Sequence, residues 1–254
     1  MNKAKDKEKR LIEEKHKLVG TIAGGMAHDF NNILTAISGN VSLAKMYLMK
    51  DTEKTLEKLN QSEDACRRAK DLTRQLLIFS KKGGTPLKRP IAVSEIINYS
   101  IGICLRDSAV RCDVSVPDDI FMIDADKEQI TQVINQLIKN AEEAMEQGGI
   151  ITLKAENITR ESADKLHLRN TEYVKITIED HGTGIANEDL PRIFDPYFTT
   201  KTKAKGLGLA IAYSIVSNHD GCIDLESELN AGTAFHLYLP ACREVKQSTQ
   251  PVRE

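Results

Sequence analysis

The sequence predicts an α+β fold, in which a long antiparallel helical hairpin precedes a domain with helices on one face of a mixed sheet. Three observations support this prediction. Up to about residue 80, apolar side chains recur at steps of three and four, which is the helical period. The cluster Lys81–Pro86, with two glycines and a proline, interrupts this pattern. Beyond it, short segments that alternate apolar and polar residues, as strands do, are interspersed with helical ones.

The hairpin is predicted from two helical stretches. The first extends from about residue 8 to residue 50, and Asp51 ends it. Its apolar stripe consists of Leu18, Ile22, Met26, Phe30, Ile33, Ile37, Val41, Ala44 and Leu48. Thr52-Glu53 is predicted to cap the second helix. The stripe of that helix consists of Leu56, Leu59, Cys66, Ala69, Leu72, Leu76 and Phe79.

A hairpin of this length has little core of its own, so its stripes need a partner. A second copy of the chain supplies one most simply, as a homodimeric four-helix bundle. The alternative is that the stripes pack on the rest of the same chain. The expected division is a charged helical connector (1–17), the hairpin (18–84), the second domain (85–242) and a frayed tail (243–254).

The second domain is predicted from its elements in chain order. Helices are expected at 94–109, from a capping box at Asp126 and Gln129 to Gly148-Gly149, and at 206–218. Strands are expected at 110–116, 120–124, 150–158, 172–180, 222–227 and 233–239. The polar stretch 159–170 is predicted to be a loop, and Asp220-Gly221 a turn.

Composition excludes several classes of function. The 254 residues carry a net charge of -2 and no tryptophan, which argues against nucleic-acid binding. No apolar run approaches the roughly 20 residues of a membrane span. Five cysteines without a Cys-x-x-Cys pair are typical of reduced thiols in a cytoplasmic protein, mostly as small core residues. A cytoplasmic location is therefore expected, either for a separate protein or for the cytoplasmic part of a larger sensor.

The segment Gly24–Asn32 contains the strongest candidate nucleophile. His28 lies two residues from both Met26 and Phe30, which places it on the polar side of the first helix. Asp29 is adjacent and Asn32 is one turn further on, so an exposed imidazole would have a proton acceptor at hand. The alternative is an ordinary surface histidine, which is the interpretation adopted for His16, His167 and His219.

Two segments of the second domain are typical of a nucleotide site. Gln136 and Asn140 lie one turn apart on a helix, and amide oxygens suit Mg²⁺. Asp180, Gly182 and Gly184 follow a strand directly. An acceptor such as Asp180 would select adenine through its exocyclic amine. Taken alone, this segment is more often an ordinary Asp-x-Gly turn.

Two further segments carry aromatic residues, lysines and glycines. Phe194 and Phe198 could pack a loop over a ligand, although aromatic residues there are more often core. Positive charge for phosphates comes from Lys201, Lys203 and Lys205. Glycines open the helix after them at Gly206 and Gly208, where backbone amides could meet an anion.

In this order, the segments resemble those of the sensor histidine kinases of bacterial two-component systems, over about residues 18–240. His28 resembles the phosphoacceptor box, Asn140 the metal-binding position of the N box, and Asp180 the adenine-reading position of the first glycine box. The F box is matched by Phe194 and Phe198, and the later glycine boxes by Gly206, Gly208 and Gly232-Thr233. The resemblance implies a dimerising hairpin tethered to an ATP-binding α/β two-layer sandwich of the Bergerat type.

The resemblance also implies the reaction and its residues. It implies ATP-dependent phosphorylation of His28, transfer to an aspartate of a response regulator receiver domain, and a reverse phosphatase reaction. Catalytic roles are implied for His28, Asp29 and Asn32. The residues implied to bind ATP are Lys139, Asn140, Asp180, Gly182, Gly184, Ile185, Phe198, Lys201, Lys205, Gly206, Leu207, Gly208 and Thr233. Mg²⁺ is implied at Asn140 and Gln136.

Two departures and two rival functions accompany this interpretation. Many relatives have Asn where this chain has Gln136, and Gly-Thr where it has Ala204-Lys205. One rival is an ATPase clamp like gyrase, which activates water with a Glu near the position of Gln136. An amide cannot act as that base. The second rival is a non-enzymatic, ATP-binding dimerisation module.

Overall fold

The computed structural model describes residues 29–79, 85–165, 168, 172–201 and 204–242, in two bodies. The first body comprises Met1–Gly84 and Asp195–Leu207, and the second comprises Thr85–Phe194 and Gly208–Glu254. The predicted breaker at residues 81–84, the segment before residue 29 and the tail after residue 242 lie outside the described residues.

Two helices form the hairpin of the first body. Helix α1 is described over residues 29–47, and helix α2 is Thr52–Phe79. The carbonyl of Tyr47 accepts from the N–H groups of Lys50 and Asp51, which ends α1 three residues before the predicted end. The predicted cap at Thr52-Glu53 is wrong. Asp51 caps α2, because its Oδ1 accepts from the Lys54 N–H at 3.0 Å.

The hairpin buries small side chains between its helices and leaves large apolar ones exposed. On α1, Ala44 is buried, as its stripe predicts. On α2, the buried residues are Thr55, Ser62 and Ala65, whose small size allows close helix approach. In the predicted stripe of α2, Leu56, Leu59 and Cys66 are exposed, and the side chains of Leu72, Leu76 and Phe79 lie outside what the structure describes. In the part of the hairpin that the structure describes, the exposed large apolar side chains are Phe30, Leu34, Leu43, Met46, Leu48, Met49, Leu56 and Leu59.

The second body is built on a seven-stranded mixed sheet. Its strands are β1 (Arg89–Ile91), β2 (Val110–Ser115), β3 (Met122–Ala125), β4 (Gly149–Ile158), β5 (Tyr173–Asp180), β6 (Cys222–Glu228) and β7 (Gly232–Cys242). The strand order is β1-β3-β7-β5-β4-β2, and β6 pairs with β7. The β2–β4 pair is parallel and the others are antiparallel. The predicted mixed sheet is confirmed.

Helices cover this sheet. They are α3 (Val93–Cys104), α4 (Lys127–Ala144), the short α5 (Arg160–Lys165) and α6 (Gly208–Asn218). Helix α4 packs on β5, α6 packs on β6, and α3 packs on α4. Alternate residues of β5 are buried, including Ile176 and Ile178, so the helix-covered face forms the core.

Several predicted boundaries are corrected. Helices α3 and α4 end at Cys104 and Ala144, earlier than predicted, and α6 begins at Gly208 rather than two residues before it. The predicted loop after β4 contains α5. Strand β1 was not predicted, because three residues are too few for a pattern. Antiparallel pairing with β3 stabilises this strand, although its own sequence does not predict one.

The start of α4 shows a long-range contact that replaces half of the predicted capping box. Asp126 caps the helix, as predicted, by accepting from the Gln129 N–H. A full box would use the Gln129 side chain on the Asp126 N–H. That N–H instead donates to Nε2 of His219 at 3.0 Å. The prediction of a surface position for His219 is therefore wrong, since this ring is 0% exposed.

The cysteines are free thiols outside the core. Cys66 and Cys222 are exposed, and Cys104, Cys112 and Cys242 are partly buried. The expectation of small core residues is therefore wrong for these five. Burial raises the pKa of the Cys112 thiol to about 11. In the part of the chain that the structure describes, no helix is long and apolar enough to span a bilayer.

Candidate functional site

Asp29 is the first described residue of the candidate catalytic segment on the hairpin. His28 lies outside the described residues, so its predicted exposure stays a prediction. The Asp29 side chain is 18% exposed, and its Oδ2 accepts from Nζ of Lys205 at 2.6 Å. Asn32 and Thr35 are exposed on α1, on the helix face where the sequence predicts His28.

Helix α4 carries the candidate metal ligands. Gln136 and Asn140 lie one turn apart on its partly buried side, and Nε2 of Gln136 donates to Oδ1 of Asn140 at 2.8 Å. Neighbouring Lys139 is exposed. Amide oxygens are hard ligands, and Mg²⁺ keeps several water and phosphate oxygens as well. The donor set therefore fits Mg²⁺ held jointly with a triphosphate, and coordination by Asn140 would replace the hydrogen bond from Gln136.

The loop after β5 is held by Asp180. This residue ends the strand, is 5% exposed, and accepts at Oδ1 from the Gly182 N–H at 2.9 Å. A Cβ on Gly182 would lie 2.5 Å from the carbonyl oxygen of Ala144. The next N–H, that of Thr183, donates to the same carbonyl at 3.2 Å. The loop thus lies directly against the end of α4, and only a glycine allows this approach.

A hydroxyl network ties this loop to the β6–β7 hairpin. Oγ of Ser227 accepts from the N–H of Ile185 at 2.9 Å, donates to the carbonyl of Gly232 at 3.0 Å and lies 2.8 Å from Oγ1 of Thr233. Thr233 is 6% exposed and pairs with Asp180 across the sheet. Ser227 escaped the sequence analysis because a single serine in a strand carries no motif. The network brings predicted residues Ile185, Thr233 and Asp180 together.

Helix α6 also begins against α4. A Cβ on Gly208 would lie 2.3 Å from the side-chain carbon Cδ of Gln136. Glycine therefore lets the first turn of α6 approach the amide pair of α4. The first turn of a helix has unpaired N–H groups that favour anions. Two glycine segments far apart in sequence thus meet one helix of the second body.

The remaining predicted residues lie in segment 195–207 of the first body. Phe198 is partly buried, and its N–H donates to the carbonyl of Asp195 at 3.1 Å. Lys201 is exposed, and Lys203 lies outside the described residues. Leu207 is 4% exposed, so its side chain belongs to the packing and its backbone alone could meet a ligand.

Two further predicted residues belong to this stretch. Phe194, in the second body, is partly buried and contacts the ring of Tyr213, which is 49% exposed, with ring centroids 5.3 Å apart and ring planes tilted by 40°. Lys205 forms an ion pair with Asp29, and its expected contact with phosphates stays a prediction. Its backbone leads into Gly206, which has φ +66° and whose carbonyl accepts from the Tyr197 N–H at 2.8 Å.

Comparison with known proteins matches these two regions to two families. Residues 18–85 match the model of the His Kinase A (phospho-acceptor) domain. Residues 125–243 match the model of the histidine kinase-, DNA gyrase B- and HSP90-like ATPases. The first match contains His28 and the second contains both glycine segments.

Curated relatives and a solved structure are similar over most of the chain. Sensor kinase CckA of Brucella abortus is 36% identical over 242 residues, which are 92% of this chain and 25% of that protein. Sensor histidine kinase ZraS of Escherichia coli K12 is 32% identical over 239 residues, which are 90% and 47%. The chain therefore spans less than half of these relatives.

The structure of histidine kinase ThkA in complex with response regulator protein TrrA is similar in fold. The match has a TM-score of 0.62 at 24% identity and covers 94% of this chain and 66% of that chain. At this level of identity the likeness concerns the fold alone.

Proposed function

Because this chain belongs to the sensor histidine kinases, we propose that it transfers the γ-phosphoryl group of ATP to His28 and then to an aspartate of a response regulator receiver domain. One observation of the structure supports this proposal above the others. The loop that begins at Asp180 and the helix that begins at Gly208 both contact α4, which carries Gln136 and Asn140. This arrangement unites an adenine acceptor, metal ligands and phosphate-binding amides in one body.

Each part of the proposed site has a chemical task. Asp180 accepts from the exocyclic amine of adenine, and the amides at the start of α6 meet phosphates. When bound at Asn140 and Gln136, Mg²⁺ supplies positive charge that neutralises the triphosphate. Lys201 adds a further positive charge near the phosphates. We keep the division into a hairpin domain (18–84) and an ATP-binding domain (85–242) as part of the proposal.

The transfer step follows from the chemistry of imidazole. An unprotonated ring nitrogen of His28 attacks the γ-phosphorus in line. The nitrogen–phosphorus bond forms as the bond to the bridging β-phosphate oxygen breaks, and ADP leaves with that electron pair. The proton on the other ring nitrogen is held by the Asp29 carboxylate, which stabilises the charge that develops on the ring.

We further propose that the active form is a homodimer. The large apolar side chains exposed on the hairpin include Leu34, Leu43 and Leu56, at 50%, 39% and 60%. Within one hairpin, small side chains pack between the two helices, so the large apolar side chains face outward. A second hairpin would cover these side chains in a four-helix bundle. In the described residues of the second body, exposed large apolar side chains are scattered over several elements instead.

The decisive test uses ATP labelled at the γ-phosphate with Mg²⁺. The wild type is expected to take acid-labile, alkali-stable label, which His28→Gln abolishes and the control His236→Gln keeps. Release of free phosphate without labelled protein would favour the ATPase clamp. ATP binding with neither label nor hydrolysis would favour the non-enzymatic module.

A second test concerns the adenine acceptor. In Asp180→Asn the amide oxygen can still accept from the Gly182 N–H, so the turn persists while adenine loses its carboxylate partner. ATP affinity measured by calorimetry is expected to fall at least about 100-fold, since a donor then faces a donor. The control is Glu179→Gln, one residue earlier on the opposite face of β5. Retained ATP binding in Asp180→Asn would refute the adenine assignment.

A further inference from the structure

Lys205 and Asp29 form an ion pair inside the first body, although 176 positions separate them. Nζ of Lys205 lies 2.6 Å from Oδ2 of Asp29, and the side chains are 60% and 18% exposed. Most of the ion pairs in the described residues join near neighbours on one helix or lie at the surface. Because solvent reaches little of the Asp29 side chain, its charge is less screened than in those pairs.

The backbone around Lys205 is fixed by its neighbours. Gly206 has φ +66°, and a Cβ there would lie 2.5 Å from the carbonyl oxygen of Phe198. The Gly206 carbonyl accepts from the N–H of Tyr197, itself at φ +67°. A non-glycine residue at positive φ, such as Tyr197, costs conformational free energy of order 1 kcal/mol. The surrounding contacts must offset this cost to keep the backbone in that conformation. This clamp therefore fixes the residue immediately before Gly206.

The clamp also lies close to Asp29. Burial raises the pKa of the Tyr197 phenol, and the negative charge of Asp29 adds to this effect. The Asp29 carboxylate thus acts electrostatically on the phenol and forms an ion pair with the ammonium of Lys205. Asp29 follows His28 directly in the chain, so the clamp and Lys205 meet the neighbour of the proposed phosphoacceptor.

We propose that Lys205 is a positioning residue that holds the carboxylate of Asp29, the sequence neighbour of His28, in one orientation, and that Lys205 is not a ligand of the triphosphate. A carboxylate that accepts a proton must present an oxygen in a defined direction, and an aspartate side chain can rotate about two bonds. The ion pair fixes one oxygen and thereby the direction of the other. This role rests on the proposed function.

Kinetics separate a positioning role from a phosphate-binding role. In Lys205→Met, the kcat of His28 phosphorylation is expected to fall about tenfold, with the KM for ATP changed less than about twofold. Lys205→Arg keeps the charge and is expected to restore kcat to within about threefold of the wild type. A tenfold rise in KM with kcat unchanged would show that Lys205 binds the triphosphate, which overturns the proposal.

A double-mutant cycle tests whether the effect passes through Asp29. Asp29→Asn is expected to lower kcat by itself, and Lys205→Met is expected to add less than about 1.5-fold in that background. Independent, multiplying effects of the two substitutions would overturn the coupling. Calorimetric ATP affinity of Lys205→Met is the companion measurement, and it is expected to equal that of the wild type.

A zero-length carbodiimide crosslink tests the pair without kinase activity. Nucleotide-free protein is expected to yield a Lys205–Asp29 crosslinked peptide by mass spectrometry. The 2.8 Å pair of Lys88 and Asp220 is the internal control. Presence of the control crosslink without the Lys205–Asp29 crosslink would overturn the pairing.

The outcomes distinguish this proposal from the proposed function. Wild-type protein that forms the crosslink but takes no label on His28 refutes the proposed function, and the positioning role falls with it. Wild-type protein that is labelled, with Lys205→Met labelled at the same rate, refutes the positioning role alone.

Discussion

The buried ring of His219 predicts that stability falls when the solution becomes acidic. Nδ1 donates to the carbonyl of Ile215 at 2.8 Å, and Nε2 accepts from the N–H of Asp126 at 3.0 Å. These partners fix the neutral ring with its proton on Nδ1. A protonated ring has no acceptor nitrogen, so the N–H of Asp126, the cap residue of α4, would lose its partner.

The magnitude follows from this geometry. Leaving the buried Asp126 N–H unpaired costs about 1–3 kcal/mol. In His219→Ala, a cavity adds to that loss, and we expect a total of about 3–4 kcal/mol at pH 7.5. His219→Gln keeps an acceptor of similar reach and should cost less.

The direction of the pH dependence follows from the pKa of His219. Burial lowers this pKa below the ordinary 6.5, against the opposing effect of the hydrogen bond to Ile215. The unfolded chain therefore binds a proton more readily than the folded one. The stabilisation is fully present above about pH 6.5 and is lost as the pH falls from there through the lower pKa of the folded state.

The assay is urea unfolding read by hydrogen exchange and mass spectrometry on peptides from α4 and β5, which isolates the second body. Between pH 7.5 and 5.0 the wild type should lose more stability than His219→Ala. His236→Gln is the comparison variant: burial also lowers the pKa of that ring, but the ring is only partly buried, so this substitution is expected to reduce the pH slope less than His219→Ala does. Equal pH slopes in the wild type and His219→Ala would refute the reasoning.

Three further predictions concern two glycines and the hairpin surface. Gly232→Ala should destabilise the second body by more than about 2 kcal/mol, because φ is +129° and the new Cβ would lie 2.0 Å from the carbonyl oxygen of Asp180. Gly102→Ala, in α3 with nothing within 4 Å of the new Cβ, should instead stabilise it by about 0.5–1 kcal/mol in the same urea assay. Leu34→Asp should shift the dimer to monomer in analytical ultracentrifugation, and Leu229→Asp, at a leucine of similar exposure in the second body, should not; an unchanged Leu34→Asp dimer would place the interface elsewhere.

The sequence determined the fold class and the motifs, because both depend on local patterns. The alternation in β5 and the helical period in α4 reflect which face meets the core, and each strand or helix reports that by itself. The side-chain cap at Asp126 was predicted for the same reason, since cap and acceptor lie three residues apart.

The tertiary structure decided the partners that lie far apart in sequence. The Asp126 N–H, expected to bond to the Gln129 side chain, donates to His219 instead. Strand β1 forms because it pairs with β3. The Asp29–Lys205 pair likewise joins residues whose separate sequences give no reason for contact. A local pattern fixes which way a side chain faces, but only the assembled chain fixes which group stands opposite, because that depends on the packing of every element between them.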